Sequence, residues 1–179
     1  MNELERIETA RLVLRRPRPD DASAVFERYA SDPDVTRFLS WPRHRTEADT
    51  RAFLQFSDAE WNRWPAGPYL VESRADGRLL GSTGLAFEAP GAASTGYVFA
   101  RDAWGQGFAT EALGAMVDVA RRLRVVRLYA LCHPRHRASQ HVLEKCGFLP
   151  DGTWTQKGEF PNLAPGVRSD VLCYSLVLE

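Results

Sequence analysis

The stretch Trp104-Gly105-Gln106-Gly107-Phe108-Ala109-Thr110-Glu111-Ala112 decides how the rest of the chain is read. Two glycines one residue apart allow positive φ and let a ligand approach the main chain closely. Apolar residues follow at helical spacing. Ala109, Ala112, Leu113, Met116, Val117 and Ala120 fall at i, i+3, i+4, i+7, i+8 and i+11. A glycine turn therefore feeds an amphipathic helix. The free N–H groups of its first turn point outward, and the helix dipole adds partial positive charge. A diphosphate suits such an opening. The pattern is neither the dinucleotide G-x-G-x-x-G, because Thr110 holds the third place, nor a Walker loop, because no Gly-Lys-Ser/Thr occurs. A carboxylate at Glu111 would repel a bound diphosphate, so it is expected to turn away and bond the backbone of the first turn.

Outward from this stretch, strands and helices mix. Before it, Arg11–Arg15 alternates as a strand. Asp20 is placed to cap a helix carrying Ala22, Val25, Phe26 and Tyr29, and Ser31-Asp32-Pro33-Asp34 reads as a turn. Thr46 opens a second helix with Asp49 at the capping-box spacing, and Phe53, Phe56 and Trp64, with Trp61 nearby, suggest its buried stripe. Tyr69–Ser73 and Leu79–Phe87 form a hairpin about Asp76-Gly77, and Gly96–Ala100 is a further short strand. After the central helix, Val125–Leu131 is β-branched and apolar. Ala138, Val142, Leu143 and Cys146 mark a short helix that Gly147 ends, Phe148 opens an extended stretch, and Asp170–Leu178 alternates to the end. The order βαα, three strands, then αβαββ predicts a layered α/β fold with a mixed sheet.

The 179 residues suit a single domain, 1–179, able to bury roughly 65–70% of its unfolded surface. Basic and acidic residues number 23 each, so no broad electrostatic hold on nucleic acid is expected. The basic residues are nearly all arginine, Lys145 and Lys157 being the exceptions. No apolar run approaches the ~18 residues that span a bilayer, and Met1–Arg6 lacks the apolar core of a secretory signal, which makes the cytoplasm the expected location. Cys132, Cys146 and Cys173 form no CxxC pair, so buried free thiols are expected rather than a metal site or a disulfide framework.

Four segments together resemble the GCN5-related N-acetyltransferases, and within them the ribosomal-protein alanine acetyltransferase type. Glu8-Thr9-Ala10-Arg11-Leu12-Val13-Leu14-Arg15 is similar to that type's first strand, and Gly96-Tyr97-Val98 to its fourth. Trp104 through Ala112 looks like its acyl-CoA loop. His136-Arg137-Ala138-Ser139 followed by Val142-Leu143-Glu144-Lys145-Cys146-Gly147-Phe148 resembles its N-x-x-S … L-E-K-x-G-F signature. The two central motifs lie about thirty residues apart and in order, and the resemblance runs from about Glu8 to Leu178.

The resemblance implies a mostly antiparallel mixed sheet of about seven strands flanked by helices, and acetyl transfer from acetyl-CoA to an amine. It implies that main-chain N–H groups of Gly105, Gln106, Gly107, Phe108 and Ala109, with Thr110 beside them, hold the diphosphate. Tyr97, Val98 and Phe99 would flank a pantetheine arm lying between splayed strands, with His136 and Ser139 at its far side. A backbone N–H near Val98 would steady the oxyanion. Ser139 would protonate the leaving thiolate, cap its helix, or do both. Trp41, Ser94 and Trp154 are expected at the acceptor pocket. A homodimer is common in the family, and nothing in the residues demands one.

The departures are specific. His136 replaces the signature's Asn, Leu143 stands where the wider family often has an acidic tyrosine, and Ser94 stands where the subfamily often has a glutamate base. Glu72, Glu88, His44, His136 and Asp170 remain as bases. The departures leave open a fold that binds acyl-CoA without turnover. A longer acyl chain such as succinyl is also open, and would need a cation near the thioester, for which Arg135 and Arg137 are the sequence candidates.

Overall fold

A computed structural model describes residues 3–178. Eight strands form one sheet: β1 (Arg6–Glu8), β2 (Leu12–Arg15), β3 (Pro68–Ser73), β4 (Leu79–Ala89), β5 (Ala92–Phe99), β6 (Arg127–Cys132), β7 (Leu149–Glu159) and β8 (Arg168–Val177). Their spatial order is β1-β2-β3-β4-β5-β6-β8-β7. Every neighbouring pair is antiparallel except β5 and β6, which are parallel. The mixed, mostly antiparallel sheet agrees with the sequence reading, with one strand more than the seven expected. The addition is β1, three residues that pair with β2 from Arg6↔Arg15 to Glu8↔Val13. Arg-Ile-Glu is too short for an alternation to show.

The helices are α1 (Ala22–Val25), which widens into a π-turn over Phe26–Ala30, α2 (Pro33–Thr36), α3 (Glu47–Arg63), α4 (Phe108–Arg122) and α5 (Arg137–Lys145). Asp20 does not cap α1; it lies in a 3-10 turn, Pro19–Asp21, that precedes it. Asp21 instead takes a forked pair of hydrogen bonds from Arg15 at 2.7 and 2.9 Å, and Arg15 also holds Glu72 at 2.8 Å. This half-buried triad ties the first helix to β2 and β3. The expected turn at residues 31–34 is the start of α2, whose amides Asp34 and Val35 donate to the Asp32 carboxylate.

On α3, Thr46 and Asp49 form the expected capping box, but the buried stripe is Thr50, Leu54, Ser57 and Trp61. Phe56, expected inside, is 57% exposed. It lies five residues before Trp61, off the i, i+4, i+7 rows that the buried residues follow. Trp61 is buried against Tyr69 and donates to the Pro68 carbonyl at 2.7 Å, while Trp64 stacks on Phe87.

Two apolar layers sandwich the sheet. α4 packs Leu113, Met116 and Ala120 against Leu12, Leu14, Leu80, Phe99 and Leu128 on one face. Val25, Tyr29 and Val35 cover Leu70, Leu79 and Val98 on the other. Leu113 and Met116 are fully buried, each worth about 1.5–3 kcal/mol of transfer free energy. α4 connects β5 to β6, so the helix that closes the core also begins at the glycine turn.

Candidate active site

β5 and β6 pair over three positions only: Ala92↔Arg127, Ala93↔Leu128 and Ser94↔Tyr129. Beyond Ser94 the strands part, while β5 stays on β4 as far as Gly81↔Phe99 and β6 stays on β8 as far as Cys132↔Leu172. The gap opens into a cavity of about 760 Å³ lined by residues of β4, β5, β6, the 38–41 segment, α5 and the β7–β8 hairpin. Tyr97, Val98, Ser94, Trp41, His136 and Ser139 all line it. Trp154 does not. It lies against Tyr129, with ring centroids 5.7 Å apart, and it is Tyr129 that faces the cavity.

From the end of β5 the chain passes through a 3-10 turn, Arg101–Ala103, into the glycine turn. Gly105 and Gly107 have φ of 72° and 80°, and Gly107 is the N-cap of α4. No side chain caps this helix. Among the described residues, the N–H groups of Gly105 to Ala109 take no acceptor within the protein and lie on an accessible surface. They are the open donors of a helix start. Thr110 is the third residue of α4, and its carbonyl accepts from the Cys146 thiol.

Glu111 does turn away, but to a different partner from the one expected. Its carboxylate accepts from the Thr9 hydroxyl at 2.6 Å, the Arg11 amide at 2.8 Å and Arg11 Nε at 2.7 Å. Arg11 also donates to the Gln106 carbonyl at 2.9 Å and lies over the Phe108 ring at 4.6 Å. Burial raises the Glu111 pKa, yet the bonds from Thr9 and Arg11 outweigh it and hold the carboxyl below its ordinary value. The turn between β1 and β2 thus clamps the glycine turn from behind. It holds the Gln106 carbonyl and neutralises the Glu111 carboxylate.

The sequence places a backbone donor near Val98, and the N–H directions there follow from the bonds of its neighbours. Ala100 donates to the Leu80 carbonyl on β4 at 2.8 Å, and Trp104 Nε1 donates to the Phe99 carbonyl at 2.8 Å from the gap side. Backbone direction alternates along a strand, so Val98 also faces β4, and the gap-facing N–H groups are those of Tyr97 and Phe99. Val98 still lines the cavity, through its side chain.

Ser139 is the third residue of α5, and the N-cap is His136, without a side-chain cap. The capping alternative for Ser139 is therefore excluded. Its Oγ is 3.0 Å from the Tyr97 hydroxyl, which also donates to the Ser139 carbonyl at 3.0 Å. Burial pushes the Tyr97 phenol well above its ordinary pKa, with the Ser139 bond opposing. His136 stacks on Phe38 at 4.8 Å, and burial followed by His133 lowers its pKa, so it is neutral at pH 7. Leu143 is buried in the core.

The five sequence candidates for the base separate clearly. Glu72 is held by Arg15, the His44 ring bonds the Thr50 hydroxyl at 2.9 Å, and Asp170 accepts from the Gln156 amide at 2.9 Å. His136 lines the cavity. Glu88 accepts a hydrogen bond from the Tyr129 hydroxyl, and Tyr129, buried and beside Ser94, carries that link to the cavity wall. Burial, then the Glu88 bond, pushes the Tyr129 phenol up to about 12. The sequence reading missed Tyr129. Its only local signal is an aromatic in an apolar strand, and its partner is 41 residues away.

The acetyltransferase (GNAT) domain family matches residues 11–149, most of the chain. The chain belongs to the GNAT acetyltransferases. An uncharacterized N-acetyltransferase, p20, of Bacillus licheniformis is 26% identical over 97% of this chain and 97% of its own. A GNAT-family acetyltransferase from Bacillus anthracis superposes with a TM-score of 0.80 at 26% identity, over 96% of this chain and 98% of that one. RimL, a ribosomal L7/L12 alpha-N-protein acetyltransferase solved with coenzyme A, shares the fold with a TM-score of 0.85 at 24% identity, over 97% and 98%. The protein is an acetyltransferase, and GNAT neighbours of its fold bind coenzyme A. Among the described residues no helix is long and apolar enough to cross a membrane, and no group of three or more His, Cys, Asp or Glu side chains could hold a metal. Cys132 and Cys173 are buried and Cys146 half-buried, all three as free thiols.

Proposed function

We propose that the protein moves the acetyl group of acetyl-CoA directly to a primary amine, on a protein N-terminus or a small molecule. One observation carries the reading. The two central strands part after three pairs, and the strand that leads out of the gap ends in a helix start whose amides are free. Main-chain N–H groups of Gly105–Ala109 hold the diphosphate, and the freed edge of β5 pairs with the amides of the pantetheine arm as an added strand would. Acetyl-CoA supplies the activated thioester.

The side chains divide the proton work. The Phe99 N–H faces the position where negative charge develops on the carbonyl oxygen. As the amine nitrogen bonds to the acetyl carbon, its proton passes to the Tyr129 oxygen and Tyr129's own proton passes to Glu88. As the carbon–sulfur bond breaks, Ser139 gives its proton to sulfur and is resupplied by the Tyr97 phenol, whose O–H turns from the Ser139 carbonyl to its Oγ, and solvent restores both pairs. Glu88 and Tyr129 thus take the place of the glutamate absent at Ser94, and Ser139 with Tyr97 that of the tyrosine absent at Leu143.

The test is thiol release from acetyl-CoA across peptides, amino acids, polyamines and aminoglycosides, beside calorimetric binding of coenzyme A. Release with one acceptor class is expected. Saturable binding with silence across every amine would reassign the protein as an acyl-CoA-binding module, and absence of binding would remove the cofactor assignment.

A further inference from the structure

We infer, on the transferase reading above, that the acceptor carries a carboxylate close to its amine, and that Lys157, presented by a bulge in β7, recognises it. The charged residues lining the cavity are Lys157, Glu159 and Arg168. Glu159 and Arg168 are opposite one another in the hairpin, with Oε1 and Nε 3.8 Å apart, so they offset each other. The side chain of Lys157, an exposed residue, makes no ion pair or hydrogen bond among the described residues. The cavity lining therefore presents one uncompensated positive charge and no unpaired carboxylate of its own, Glu88 being linked to the wall only through the Tyr129 hydroxyl. Its other walls are uncharged, with aromatic side chains such as Phe38, Trp41 and Phe160 beside hydroxyls such as Ser94, Thr95 and Ser139.

The bulge is built rather than incidental. β7 pairs with β8 at Trp154↔Val171 and again at Gly158↔Ser169, so residues 155–157 stand against the single residue Asp170. Gln156 has a left-handed φ of 54° and donates its amide to Asp170 Oδ1 at 2.9 Å. At Gly158 a Cβ would overlap the Val171 side chain and come within 3.1 Å of Phe160. An insertion of this kind re-aims the side chains that follow it, and here Lys157 is among the residues lining the cavity. Asp170, a base candidate by sequence, serves to hold this turn. A polyamine or aminoglycoside would bring a second cation toward Lys157, where the one lining carboxylate, Glu159, is already paired with Arg168. An amine bearing a nearby carboxylate gains a partner instead. A free amino acid and an acidic protein N-terminus offer the same chemistry.

The experiment measures kcat/KM by thiol release for matched pairs: L-phenylalanine against L-phenylalaninamide, and a Met-Asp-Asp peptide amide against Met-Lys-Lys, with spermidine alongside. The acid member of at least one pair is expected to win by about tenfold, and the winning pair separates the two sources. Lys157→Gln should reduce that ratio about fivefold, as for a part-exposed ion pair, and Lys157→Glu should invert it. Preference for the neutral or cationic members, or a ratio indifferent to both variants, overturns the inference. So does faster turnover with succinyl-CoA that Lys157→Gln abolishes, because the cation would then serve the acyl chain. Binding of N-acetyl-L-phenylalanine and its amide to the coenzyme A complex, followed by calorimetry, reads the same contrast without turnover. Silence in the thiol assay with a retained acid preference in binding breaks the transferase reading and leaves the carboxylate site standing. Equal or weaker binding of the acid overturns the site itself.

Discussion

The glycine turn and the acceptor side of the cavity are built on opposite plans. At the glycine turn, the groups proposed to hold the coenzyme are main-chain amides of consecutive residues, Gly105 to Ala109, fixed by two left-handed glycines and clamped from behind by Arg11. At the proposed acceptor side, the groups are side chains of Trp41, Tyr129 and Lys157, with Glu88 behind Tyr129, delivered by four separate segments. A ligand common to a whole family can be gripped by backbone, which is indifferent to most substitutions. An acceptor that differs between members must be read by side chains, which can vary without disturbing the sheet. Changes at the first end should therefore move acetyl-CoA KM, and changes at the second should move kcat or acceptor preference.

The sharpest test of that division is at the acceptor end. Glu88→Gln and Tyr129→Phe should each lower kcat about 100-fold, the low end of a general base's contribution, with acetyl-CoA KM little changed. A comparable rise in acetyl-CoA KM would show that the two ends are not separate. Next in size, Gly107→Val places a β-branched residue at φ 80°, with its Cβ 3.4 Å from Arg11 Nη2. Acetyl-CoA KM should rise tenfold or more, about 1.4 kcal/mol, and an unchanged KM would refute the placement of the diphosphate.

Ser139→Ala should lower kcat about tenfold while leaving Tm within a degree or two, because Ser139 caps nothing. A fall in Tm with kcat intact would mark the Tyr97–Ser139 bond as structural only.

The smallest expected effect tests the clamp. The folded Glu111 carboxyl titrates below its unfolded value, so its ion pair with Arg11 stabilises the fold above about pH 4.3 and is lost as pH falls through the lower, folded pKa. Arg11 is half-exposed, which limits the contribution to about 1 kcal/mol. Urea unfolding of the wild type and Glu111→Gln should therefore differ by about that much at pH 7 and draw together as the pH falls through the folded carboxyl's lowered pKa. A gap that widened on acidification would contradict the assignment.

The same contrast explains what the sequence makes legible. α4, the Thr46–Asp49 box and Gly147, which has φ 83°, are local features whose causes lie within one or two helical turns. The glycine turn is of this kind, and its residues are readable as a string. The Glu88–Tyr129 pair joins residues that become neighbours only when β4, β5 and β6 assemble, so no spacing reveals it. Trp154 and Phe56 went wrong for the related reason that an aromatic's burial depends on the elements above it. Trp154 supports a cavity residue rather than lining the cavity, and Phe56 lines the cavity rather than filling the core. The direction of the Val98 amide depends on a strand register that starts at the β4–β5 turn, and that register is set by a bulge at Phe87–Ala89.

The three-residue contact between β5 and β6 has a mechanical consequence. On that face the sheet is two half-sheets joined by a short seam, with α4 as the strut beneath. A molecule that hydrogen-bonds along the parted edge does the work of missing backbone and stitches the halves together. Cofactor loading and rigidity are then one event: at a hundred times its dissociation constant coenzyme A would add about 2.7 kcal/mol to the fold. Amide exchange should slow most along residues 95–99 and 130–132, where the seam has no thread of its own.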